Sequence, residues 1–107
     1  MQMNEFQKKA ANALEVWDKN AGRKPADSVT IMVHLTEEMG GLAAEVYNER
    51  SGRTRFNVVH LGNEIADVFL LLAYLSKKYD IDIEEAVMRK IKENNERFGV
   101  KKDKAKQ

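Results

Sequence analysis

The 107-residue sequence has no cysteine, one proline and no apolar run long enough to cross a bilayer, and each shortage narrows what it encodes. Without cysteine there are no disulfides, thiolate metal ligands or cysteine nucleophiles. That absence fits a reducing compartment, and the opening MQMNEFQKKA lacks the hydrophobic core of a secretory signal, so a cytoplasmic location is expected. The strongest apolar stretch, Val68 to Leu75, follows Asp67 and falls far short of the roughly 20 residues a membrane span requires. It reads as a buried helix, and no membrane partner is expected. Charge of one sign is also missing: the formal net charge is +1, with acids and bases interleaved along most of the chain. Nothing resembles the basic footprint of a nucleic-acid binder, so no nucleic-acid partner is expected either.

What the sequence does have is apolar residues recurring at intervals of three and four almost throughout, which predicts an all-α fold of about four helices in an antiparallel bundle. The first helix covers about Asn4 to Lys19, presents Phe6, Ala10, Leu14 and Trp17 on one face, and ends at Asn20-Ala21-Gly22. A second starts near Ser28, the expected N-cap after Pro25, and runs to about Glu49. A polar link containing Arg53 and Arg55 leads to a third, from about Asn57 to Lys78. Asp82 followed by Glu85 has capping-box spacing and opens a fourth that ends near Phe98, before Gly99. Residues 1–99 then make one domain, and residues 100–107 a polar, basic tail with little to bury. So short a chain of long helices leaves apolar surface uncovered, which predicts a homodimer or tetramer.

The chemistry lies in acids that interrupt the apolar stripes. At about 100° per residue, Ile31, Leu35 and Leu42 define one face of the second helix, and Glu38 falls within it, while Glu37 points to one side. On the third helix, Glu64 and Asp67 share a face that continues into Leu71 and Leu75. A carboxylate on a core-facing stripe is costly unless paired or bound to a cation. One reading is therefore salt bridges to neighbouring lysines or arginines. The other is a divalent ion, and oxygen ligands without cysteine favour magnesium, with manganese as the variant. On the fourth helix Lys90, Asn94 and Arg97 form a polar stripe beside Val87, Ile91 and Phe98, suited to phosphate oxygens. Trp17 fits either core packing, which its spacing with Phe6 and Leu14 favours, or a stack on a nucleobase.

These residues carry a resemblance. Leu35-Thr36-Glu37-Glu38-Met39-Gly40-Gly41-Leu42, followed by Glu64-Ile65-Ala66-Asp67, resembles the MazG-type members of the all-α nucleoside triphosphate pyrophosphohydrolases, which pair a Glu-x-x-Glu with a Glu-x-x-Asp on the next helix. Lys90, Asn94, Arg97 and Phe98 are similar to that family's Lys-x-x-x-Asn-x-x-Arg-aromatic ending, and Asp82 to Ala86 to the turn before it. The resemblance implies hydrolysis of a nucleoside triphosphate to the monophosphate and pyrophosphate, with Mg2+ or Mn2+ on Glu38, Glu64 and Asp67. It also implies Glu37 or Glu38 acting on the attacking water, and Lys90, Asn94 and Arg97 on phosphate. The chain departs from the pattern at Gly41, where the second Glu of the first motif is expected. Glu45, His34 and His60 are the nearby substitutes. If none serves, a nucleotide-binding or regulatory module without turnover is the alternative, and a bundle with purely structural acids a further one.

Overall fold

Four helices, α1 (Met3–Asn20), α2 (Ser28–Ser51), α3 (Val58–Lys78) and α4 (Ile83–Arg97), account for nearly all the described chain, and no strand occurs among the described residues. The computed structural model describes residues 2–52 and 56–99, so the expectations for Arg53, Arg55 and the tail fall outside it.

The helix starts follow from their caps. Asp27, one residue before the expected cap Ser28, takes the Thr30 amide at 2.8 Å, because a carboxylate meets both the free amides and the positive end of the helix dipole. That bond holds the Asp27 carboxyl below its ordinary value. Ser28 instead sits inside the first turn, where its hydroxyl accepts from Tyr79 at 2.8 Å. Asn57 accepts from Val59 and His60 to open α3, and Asp82 accepts from Glu85 at 3.1 Å to open α4, as the capping-box spacing predicts. α2 runs on to Ser51 and stops at Gly52, whose φ of 69° is the left-handed turn that glycine adopts without penalty.

α2 and α3 run antiparallel: Ile31 packs with Leu71 and Tyr74, while further along α2 Gly41 faces Glu64. α1 lies on the C-terminal half of α3, where Ala10, Ala11 and Ala73 allow close approach and the rings of Phe6 and Phe69 stack at 5.3 Å. Tyr74, buried at the junction, donates to Asp18 at 3.0 Å and accepts from the Ala26 amide at 3.3 Å. Burial, then the Asp18 hydrogen bond, raises its phenol above the usual value.

Two expectations about burial change. On α1, Ala10 is buried, but Trp17 is 49% exposed, so it is not a core residue. On α4, Val87, Ile91 and Phe98 remain exposed and no residue is buried; the helix touches α1 and little else. The core is correspondingly small, with Ile31 and Tyr74 its largest fully buried side chains.

α4 is tied down by a residue that its apolar pattern does not reveal. Gln7, buried in α1, donates from its amide nitrogen to the Ile81 carbonyl at 2.7 Å and accepts from the Ile83 amide at 2.8 Å. Both ends of one side chain thus bind the backbone of the α3–α4 turn. The whole of α3, unlike its short Val68 to Leu75 run, is long and apolar enough by length and composition to span a membrane. It packs on both α1 and α2 and buries Leu71, Ala73 and Tyr74, while Val58, Val59, Ile65 and Leu72 stay exposed.

Candidate metal centre

Glu38 continues the line of Ile31 and Leu35 along α2, and Glu64 and Asp67 lie one turn apart on the facing side of α3. The antiparallel pairing brings them together: one carboxylate oxygen from each lies within 4.8 Å of the others. Glu38 and Glu64 are half-buried and Asp67 is exposed, so the trio stands at the mouth of the helix interface with water on one side.

The electrostatics are unfavourable without a cation. Among the described residues no lysine or arginine forms an ion pair with any of the three. Burial, followed by the charges of Asp67 and Glu64, pushes the Glu38 carboxyl above its ordinary value, and its hydrogen bonds to both acids act the same way. A group in that position can hold a proton, or give it up to a divalent ion that satisfies all three acids at once.

The dimensions suit a small hard cation. Magnesium–oxygen distances of about 2.1 Å put two ligand oxygens on opposite sides of the ion about 4.2 Å apart. Spacings of up to 4.8 Å therefore close with a small swing of flexible glutamate arms. Three carboxylates leave coordination positions for water and phosphate, which magnesium ordinarily keeps.

Gly41 takes on a definite meaning here. A Cβ built on it would lie 2.9 Å from Glu64 Oε2 and 3.4 Å from Glu64 Cδ. The space left by the missing side chain is thus taken up by the Glu64 carboxylate, resting against the α2 backbone. A side chain at 41 would have to move that carboxylate. Of the proposed substitutes, His34 lines the cavity beside the acids, while Glu45 and His60 belong neither to that lining nor to the trio.

A cavity of about 340 Å³ opens beside the acids. Its polar lining residues are Glu38, Asp67, Glu37 and His34, and its apolar ones Leu14, Leu70, Leu71 and the exposed Trp17. The sequence signalled the acids by their place in apolar stripes. For Trp17 the sequence left core packing and a base stack both open, and its place on this cavity with Leu14 depends on how α1 packs against α3. Lys90, Asn94 and Arg97 do not line this cavity. Lys90 pairs with Glu93 at 3.7 Å, and the Arg97 guanidinium lies 5.5 Å from the centre of the Phe98 ring.

Compared with known families, residues 27–98 match the MazG nucleotide pyrophosphohydrolase domain. No curated protein and no solved structure matches the chain. The matched segment begins at the Asp27 cap and contains all three acids, while Trp17 and Gln7 precede it.

Proposed function

We propose that this chain, which belongs to the MazG nucleotide pyrophosphohydrolase domain family, splits a nucleoside triphosphate into monophosphate and pyrophosphate at a magnesium site on Glu38, Glu64 and Asp67. The observation that carries this reading is the trio itself: three convergent acids, oxygens within 4.8 Å, and among the described residues no cationic side chain paired with them. Bound magnesium, or manganese, would supply Lewis acidity toward phosphate oxygens and lower the pKa of an attacking water.

The chain's own residues account for the rest. Glu38, Glu64 and Asp67 set the cation's place relative to the cavity. We assign Glu37 the role of accepting the water's proton, because it lines the same cavity yet stands outside the trio. Attack at the α-phosphorus forms one P–O bond and breaks the bond to the bridging oxygen, so pyrophosphate leaves and no covalent enzyme intermediate is needed. Lys90, Asn94 and Arg97 are assigned to phosphate, in an assembly whose second copy brings α4 to this cavity. Two features favour such self-association: the uncovered apolar side chains of α4, and a radius of gyration of 17.1 Å against about 13 Å for a compact domain of 100 residues.

The test is pyrophosphate release from a panel of ordinary and modified nucleoside triphosphates with magnesium or manganese. Release that disappears in Glu64→Ala and Asp67→Ala supports hydrolysis. Gly41 favours a second reading, a nucleotide-binding module with one acid too few for turnover. Calorimetric binding of a triphosphate without any release across the panel would select it.

A further inference from the structure

We propose that Trp17 is the platform on which the nucleotide's base stacks, a role that rests on the magnesium–triphosphate reading of the adjoining acids. The indole is 49% exposed, although a large apolar ring gains most from burial. It lines the cavity that Glu38 and Asp67 also line. One cavity is therefore lined by acids of the trio, by an aromatic ring and by the apolar side chains of Leu14, Leu70 and Leu71. A ligand complementary to that lining combines a metal-chelating polyphosphate with a flat π-system, which is the chemistry of a nucleoside triphosphate. Its volume of about 340 Å³ falls within the range of small-molecule sites, roughly 300–1,000 Å³.

The ring is also held in place. Its chain neighbour Asp18 receives the buried Tyr74 hydroxyl at 3.0 Å and the Arg23 guanidinium at 3.1 Å. Leu14, one turn earlier, packs on the Ile31, Leu71 and Tyr74 cluster. The last turn of α1 is thereby fixed to α3, and a stack on Trp17 need not first order the segment that carries it. Since Trp17 precedes the matched residues 27–98, this contribution comes from the part of the chain outside the family domain.

Trp17 is the only tryptophan, so its fluorescence reports this site alone. Wild-type protein with magnesium is titrated with a non-hydrolysable nucleoside triphosphate and, separately, with inorganic tripolyphosphate, following emission and heat. Stacking predicts that both bind by calorimetry but only the nucleotide quenches and shifts the emission. Trp17→Leu should weaken nucleotide binding by roughly 5- to 100-fold, the usual value of a base–aromatic stack, and leave tripolyphosphate binding unchanged. Trp17→Phe should restore most of the loss, separating aromatic stacking from simple bulk. The proposal is overturned if Trp17→Leu binds nucleotide like wild type, or if it loses both ligands equally, which marks a structural role. If wild type binds neither ligand, the acids are not a triphosphate site and both readings fall together.

Discussion

Gln7 and Glu38 are both polar side chains set where helices meet, and they are treated in opposite ways. Each end of the Gln7 amide finds a backbone partner, at 2.7 and 2.8 Å, so its burial closes the join between α1 and the α3–α4 turn. Among the described residues Glu38 meets Glu64 and Asp67, groups of its own sign, and burial together with their charges drives its carboxyl upward. A polar group whose needs are met inside the chain is architecture. One whose needs are left unmet, beside a cavity, points outward to a ligand.

Replacing Glu64 or Asp67 with alanine should lower pyrophosphate release by roughly 100-fold and abolish the magnesium-dependent rise in melting temperature. Without metal, the same variants should melt no lower than wild type, because a repulsion has been removed. A metal-free melting temperature several degrees below wild type would instead give those acids a structural role.

Gln7→Leu should do the reverse. It leaves the Ile81 carbonyl and Ile83 amide without their partner and should cost about 2–3 kcal/mol of stability in urea unfolding. Because the trio lies elsewhere, the magnesium-dependent rise in melting temperature should survive. An unchanged unfolding midpoint would mean that water replaces the amide at no cost.

Gly41→Ala sharpens the contrast within one residue. Alanine in a helix interior is favoured over glycine by about 1 kcal/mol, and the atom it would crowd is the movable end of Glu64. The metal-free protein should therefore gain stability while magnesium binding weakens by roughly tenfold, read by calorimetry. Equal affinity in the variant would show that Glu64 holds its place without the space beside Gly41.

The smallest effect is that of pH on the metal-free chain. Because the fold raises the Glu38 carboxyl above its unfolded value of 4.5, the folded state holds its proton longer than the unfolded chain does. That contribution is fully present below pH 4.5 and is lost as pH rises through the folded value. Saturating magnesium should remove this loss, because the bound form needs the ionised carboxylate. Melting curves from pH 4 to 7, with and without the ion, test the sign.

Much of this was readable in the sequence, for local reasons. Helical periodicity gave the four helices, and Asp82 with Glu85 gave the start of α4. Glu38, Glu64 and Asp67 stood out because acids on apolar stripes violate the pattern around them. What escaped depends on partners distant along the chain. Gln7, next to two lysines, looks like solvent-facing helix until its bonds to Ile81 and Ile83 are seen. Trp17 shared a helical face with Ala10, but a face says nothing of where the neighbouring helix ends, and the last turn of α1 overhangs the cavity. The exposed apolar face of α4 likewise could not be told from a buried one by spacing alone.

The attachment of α4 also fixes the order in which parts of the molecule release. The helix buries none of its own side chains, and one glutamine fastens its leading end. Its backbone amides should therefore open to solvent exchange well before those of α2 and α3. Such a segment can peel away and re-seat on another surface while the carboxylates across the molecule remain where they are.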